Sequence, residues 1–297
     1  PPWLMNQWRH NLLCLIRQST SRVPADVHEA LRLGLDREAP GSLARSTLQT
    51  LLDNIELAKG TVRPLCQDTG TLIVNVEAPP GFEQRVFEET FRKAVMAAVE
   101  EGTLRRNCVD TLTGHNTGNG VGRGNPTFHW RECDRPDRVR VALIQKGGGC
   151  ENVGGQYALP DPALEADRDL EGVRRCALDA VHRAQGRGCA PGILAVIAGG
   201  DRATGAAAAK QQFFRHLGQR HSEPELAGLE QRLLREANTL GIGPMGFGGK
   251  TTLLDVFVDV LDRLPASYFV TVSYMCWAFR RGVLEADLDG RHPAFSD

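Results

Sequence analysis

Apolar residues recur along this chain with two periods, one helical and one strand-like, and segments of the two kinds alternate. Between 42 and 59, Leu48, Leu51, Leu52 and Ile55 stand at i, i+3, i+4 and i+7, so one helical face is apolar. Ser42 is placed to cap the start of that helix and Gly60 to stop it. The strand "TLIVNVE" follows at 71–77, and residues 83–101 put Phe87, Phe91, Val95 and Ala98 on a second helical stripe. "VRVALI" (139–144) and "ILAVIA" (193–198) are short β-rich runs, the form of buried strands, and a helix around 164–184 joins them. "DRATGAAAAKQQFFRHL" and "EPELAGLEQRLLREANTL" predict helices, the second ended by Gly241. "TTLLDVFVDV" and "SYFVTVSY" predict later strands. The opening "PPWLMNQWRHNLLCLIRQ" has "LLCLI" as its apolar block, interrupted by Arg9 and Arg17, which fits a helix start and not a secretory signal. The pattern predicts a mixed α/β fold without repeats, one domain over 1–297 with a soft lobe boundary near 155–165 in "QYALPDPALEA".

Composition narrows the classes. With 297 residues, 41% hydrophobic and 24% charged, the chain has the make-up of a globular protein with a sizeable core. A net charge of −1 and a pI near 6.8 leave no electrostatic footprint for nucleic acid or an anionic membrane. No apolar run approaches the roughly 20 residues that cross a bilayer, so a soluble, cytoplasmic protein is expected. Glycine changes the picture: there are 32, above the usual share of about 7%. They gather in "GHNTGNGVGRGNP", "KGGGCENVGG", "GRGCAPG", "AGG" and "GIGPMGFGGKTT", where strands end. Glycine there lets the backbone approach a ligand, or simply makes tight turns; five such loops beside cysteines favour a shared site.

The eight cysteines are scattered, with no C-x-x-C, which excludes zinc ribbons and local ferredoxin runs. Cys14 and Cys176 lie on helical stripes and suit a core role. Cys108 and Cys133 have no distinctive setting. Cys66 in "PLCQDTG", Cys189 in "GRGCAPG" and Cys276 in "SYMCWAFRRG" sit in loops or beside strand ends, and Cys150 in "GGGCEN" is a fourth candidate. From spacing alone, three long-range thiols are an iron–sulfur site, a zinc site or coincidence.

The motifs "CQDTG", "KGGGCEN", "GCAPGILAVIAGGDR", "GIGPMGFGGKTT" and "CWAFRRG" occur in the order found in class I iron–sulfur hydro-lyases, and from about residue 20 to 285 the chain resembles their α subunit. That family holds the class I fumarate hydratases and the L(+)-tartrate dehydratases. The resemblance implies that Cys66, Cys189 and Cys276 ligate a [4Fe–4S] cluster whose fourth iron stays open to substrate, with Cys150 a neighbour and not a ligand. It implies that Gln67 hydrogen-bonds the substrate and that Asp68 contacts its hydroxyl or serves as acid–base partner. A plainer role for Asp68 is to cap its own turn. Arg105 in "LRRN" fits a family arginine that pairs with a substrate carboxylate, ahead of Arg106. Backbone N–H groups of Gly148 and Gly149 are expected to meet a carboxylate. Lys250 either binds anion or faces solvent, and Arg280 and Arg281 reach the site or a partner subunit.

Two departures stand out. Relatives carry a histidine twelve residues before the third cysteine; Leu264 in "DRLPAS" takes that place. Relatives also have a second domain or β subunit with further arginines, a lysine and a threonine proposed as base. The expected protein is therefore a hydro-lyase α subunit, interconverting fumarate and (S)-malate, that needs a β partner and forms a homo- or hetero-oligomer. The alternatives are an L(+)-tartrate or related diacid dehydratase, and a cluster- or zinc-binding subunit without catalysis.

Overall fold

The computed structural model describes residues 2–297, with side chains from residue 6 onward. Three helices open the chain: α1 (Pro2–Ser21), α2 (Ala25–Arg37) and α3 (Leu43–Thr61). Then follow β1 (Thr71–Ala78), α4 (Gln84–Glu100), β2 (Thr127–Glu132), β3 (Arg138–Lys146), α5 (Gly148–Asn152) and β4 (Gly155–Ala158). The remainder is α6 (Leu170–Ala184), β5 (Gly192–Gly199), α7 (Arg202–Gln212), α8 (Pro224–Thr239), β6 (Leu253–Leu261), β7 (Phe269–Met275), β8 (Arg280–Asp287) and β9 (Ala294–Ser296). Among the described residues no helix is long and apolar enough to cross a membrane.

The chain divides into two units, each built from segments distant in sequence. The first takes the chain through Ala25, Asp53–Gly147 and Ala278–Asp297; the second takes Asp26–Leu52 and Gly148–Trp277. Residues 155–165 lie inside the second unit, where β4 hydrogen-bonds along β7.

In the first unit the strand order is β2-β1-β3-β8-β9, with β1 and β2 parallel and the other neighbours antiparallel. Alternation decides the faces. Val139, Val141 and Leu143 of β3 join Leu72, Val74 and Val76 of β1 beneath Trp8, Leu12 and Ile16 of α1 and Phe87, Phe91 and Val95 of α4. Register then places the Cys66 turn. Thr71 pairs with Lys146 and Gln145 with Arg280, so the start of β1, the end of β3 and the start of β8 share one end of the sheet.

The second unit holds the order β4-β7-β5-β6, with β5 and β6 parallel. Strand β5 is buried along its whole length, as its unbroken apolar run predicts. Leu194 and Val196 pack with Val173, Ala177 and Val181 of α6 and Leu226, Leu229 and Leu233 of α8. Here too one end collects the glycine loops, because Gly192 pairs with Leu253 and Ile193 with Met275. Helix α6 starts later than its pattern suggested because Asp169 caps it, its carboxylate accepting from the Gly172 N–H at 2.7 Å.

Candidate functional site

The turn that precedes β1 is fixed by bonds within the first unit. Leu65 N–H donates to the Thr20 carbonyl and Asn54 Nδ2 to the Leu65 carbonyl, so the approach to Cys66 is anchored from α1 and α3. Gly70 has φ +76°, and a Cβ there would lie 2.6 Å from the Lys146 carbonyl; glycine is needed both for the dihedral and for the close approach. Arg105 N–H donates to the Thr69 hydroxyl at 3.3 Å, and Asn107 Nδ2 reaches the Gln67 carbonyl at 3.5 Å. The "LRRN" segment is thereby laid along the turn. Cys66, Gln67, Arg105, Arg106, Asn107 and Arg63 line one pocket of about 720 Å³. Gln67 and both arginines of "LRRN" are exposed in it, and Cys66 is half-buried.

Asp68 points elsewhere. One carboxylate oxygen accepts from the Gly70 N–H at 3.0 Å, the turn-capping bond that was the plainer expectation. The other lies 3.0 Å from where a Cβ of Gly147 would stand. Arg280 donates through Nη1 to the Asp68 carbonyl at 2.6 Å. Arg280 and Arg281 are both buried on β8, at 1% and 3% exposure.

In the second unit three thiols lie near one ring. Tyr274 on β7 is buried; its phenol is held protonated above its ordinary range by burial first, and then by the neighbouring thiols of Cys276, Cys150 and Cys189. Gly188 and Gly192 explain themselves here. A Cβ at either would fall 2.6 or 2.2 Å from the Tyr274 ring, so the "GRGCAPG" loop lies flat on the aromatic face. Between them Cys189 takes φ +54°, and its carbonyl accepts from the Trp277 N–H at 3.4 Å. Backbone contact thus joins the Cys189 loop to the Cys276–Trp277 peptide. Met245 N–H donates to the Ala190 carbonyl, bringing the "GIGPMGFGG" loop against the same segment. Gly148 and Gly149 begin α5, where the first N–H groups of a helix have no acceptor within it.

Lys250 is held by its backbone: its N–H donates to both carboxylate oxygens of the buried Glu38, at 2.9 and 3.1 Å, while its side chain is exposed. Leu264, at the family's histidine position, is 74% exposed in the loop between β6 and β7. The first unit therefore brings together Cys66, Gln67 and Arg105, and the second brings together Cys189, Cys276 and Cys150. Arg63, Asn107 and Tyr274 join these groups without being singled out by any motif in the sequence. Arg63 and Asn107 carried no signal beyond nearness to Cys66 and Arg105, whereas the paired glycines of "GRGCAPG" signalled a close approach without naming Tyr274.

Among the described residues there is no group of three or more His, Cys, Asp or Glu side chains placed to hold a single metal ion. The chemistry of the donors nonetheless suits an iron–sulfur cluster, since Cys66, Cys189 and Cys276 are free thiols, the usual ligands of its irons, and the Cys189 loop touches the Cys276–Trp277 peptide within the second unit. If the Tyr274 ring sets the path of the Cys189 loop, Gly192→Ala should be costly. We expect a loss of about 1–3 kcal/mol by denaturant titration, the usual cost of overpacking; a loss near zero would show that the loop has room to move.

Comparison with known proteins gives the family. The fumarate hydratase (Fumerase) family model matches residues 10–285. A provisionally named class I fumarate hydratase of Geobacillus stearothermophilus is 43% identical over 280 residues, 93% of this chain and 54% of that protein. The chain thus spans about half the length of that relative. A provisionally named L(+)-tartrate dehydratase subunit alpha of Methanocaldococcus jannaschii is 32% identical over 282 residues, 93% of this chain and 96% of its own length. The L(+)-tartrate dehydratase subunit alpha of Escherichia coli K12 is 30% identical over 271 residues, covering 91% and 88%. With the family model matched from residue 10 to 285, and a relative 32% identical matched over 96% of its length, this chain belongs to the fumarate hydratase (Fumerase) family.

Proposed function

We propose that this chain is the cluster-bearing part of an iron–sulfur hydro-lyase that interconverts fumarate and (S)-malate. The observation that carries the reading is the pocket of the first unit, where a thiol, an amide and arginines converge on about 720 Å³. A packed core needs none of these groups, and together they suit a small dianion. Cys66, Cys189 and Cys276 are the residues that would hold a [4Fe–4S] cluster. When bound, the cluster supplies a Lewis acid that eases departure of hydroxide from a carbon beside a carboxylate.

The chain's own residues do the rest of the work assigned here. Arg105 pairs with one substrate carboxylate through two parallel N–H donors, a geometry lysine cannot offer. Gln67 donates its amide to the same end of the substrate. Asp68, on the same turn but with its carboxylate at Gly70 in this structure, contacts the substrate hydroxyl or serves as acid–base partner once it leaves that cap. N–H groups of Gly148 and Gly149 meet a carboxylate, and Lys250 adds positive charge. A second clamp and the base that removes the carbon-bound proton are supplied by a further domain or a β subunit, consistent with relatives named as alpha subunits. A second reading, L(+)-tartrate dehydration, is favoured by the near full-length match to those subunits.

Anaerobic reconstitution with a β partner, followed by a panel of 2-hydroxy diacids, separates the readings. Fumarate and (S)-malate should be the best pair. The cluster-loaded chain alone should be slower by about 10²–10⁴-fold, the typical worth of general acid–base assistance. Turnover of tartrate in preference to malate would transfer the assignment to the second reading. Cluster loading without turnover of any diacid would leave a binding subunit, and full rates from the chain alone would remove the need for a partner.

A further inference from the structure

We propose that Arg280 is a positioning residue that holds the Asp68 turn in its working geometry. The inference rests on the reading of Asp68 as a group that meets substrate. Three segments of the first unit converge around one glycine. Asp68 Oδ2 lies 3.0 Å, and Arg280 Nη2 3.7 Å, from the point a Cβ of Gly147 would occupy. The space left by the missing side chain is thus flanked by a carboxylate and a guanidinium. Arg280 Nη1 donates to the Asp68 carbonyl at 2.6 Å, the short distance of a charge-assisted bond.

The side chain is only 1% exposed, and its Nε is buried without a hydrogen-bond partner among the described residues. Burying a guanidinium whose donors are not all satisfied is costly. A residue kept only for packing on β8 would be apolar. Sheet register explains how arginine reaches the turn. Gln145 pairs with Arg280, and Gly147 follows β3 directly, so the first residue of β8 stands beside the turn that enters β1. Held by its carbonyl in this way, Asp68 keeps its carboxylate at the Gly70 cap and beside Gly147.

The test uses Arg280→Lys and Arg280→Gln in the full chain, with Asp68→Asn beside them. In cluster-free protein, hydrogen exchange of a peptide covering 64–71 should speed up by about tenfold as the turn loosens. In the anaerobically loaded, assembled enzyme, cluster absorbance should stay at the parent level. There kcat should fall by about 10²-fold, with KM changed by less than about threefold, the signature of a misplaced reacting group. Lysine should not rescue, because it keeps the charge and loses the fork. Parent-like exchange and parent-like kcat in both variants would overturn the proposal. Should both variants unfold or lose the cluster, Gly147→Ala decides: its methyl presses on the carboxylate without removing the guanidinium, and kcat should again fall at constant KM. Parent-like kcat in that variant would overturn the proposal equally. Parent rates in Asp68→Asn would remove the role of Asp68 itself. An inactive Asp68→Asn with parent-like Arg280 variants would remove only the positioning role.

Discussion

Cys66→Ser should abolish both the visible absorbance of a reconstituted cluster and all hydro-lyase turnover, while Cys176→Ser should leave both in place. The contrast follows from the two settings. Cys66 is half-buried in the pocket that also holds Gln67 and Arg105, and a serine hydroxyl there is a far poorer iron ligand than a thiolate. Cys176 is fully buried on α6 beside Val173, Ala177 and Ala180. Burial, and then the nearby Asp161 and Asp179, push its thiol up to about 12, so it stays protonated and acts as a small apolar side chain. Its serine variant should show a different cost, about 1–3 kcal/mol of stability for a hydroxyl without a partner. Anaerobic loading followed by absorbance and denaturant titration reads both effects. Equal cluster loss in the two variants would mean that the ligand assignment is wrong.

Glu230→Ala should cost about 3–5 kcal/mol, a large part of the 5–15 kcal/mol typical of a folded domain. Glu230 is fully buried in the second unit. Its carboxylate accepts from Arg215 Nη1 at 2.8 Å, from the His221 N–H at 3.0 Å and from the Val258 N–H at 3.0 Å, with Arg220 Nη1 3.7 Å away. Arg220 is tied in turn to Asp255 at 2.7 Å. Truncation removes the acceptor common to one helix end, one loop and one strand, and leaves half-buried positive charge and N–H groups behind. Denaturant titration of the full chain checks the figure. A loss under about 1 kcal/mol would show that water or Asp255 takes over the role. The loop at the start of β6 should be the second casualty, since the "GFGGKTT" segment runs directly into the strand that Glu230 pins.

Legibility in sequence followed the range of the interactions. The helix expected at 42–59 is α3, extended only to Thr61, and the runs "TLIVNVE", "VRVALI" and "ILAVIA" are β1, β3 and β5. These elements bury one stripe or alternate faces, and such a period survives in any fold that covers them. The pattern of α7 predicts a helix to Leu217, but α7 ends at Gln212, and Arg215 beyond it turns to the buried Glu230. Short β4 and β9 carry too few residues for a period to show, and their existence depends on pairing with β7 and β8.

By itself the sequence determined most of the element types and the glycine-rich loops at strand ends. Each of these is written within about ten residues, the range over which backbone propensity and periodicity act. Tertiary structure alone decided which loops share a sheet end. It paired β3 with β8 across more than a hundred residues and left the chain in two interleaved units. It also turned Asp68 toward Gly147 and buried Arg280 against the Asp68 carbonyl, where "CWAFRRG" had offered two arginines of equal claim. Alternation fixes the face a strand shows and says nothing of the strand it will pair with. The neighbours of a side chain at a strand end are set by register between distant segments, and that is decided only when the sheet assembles.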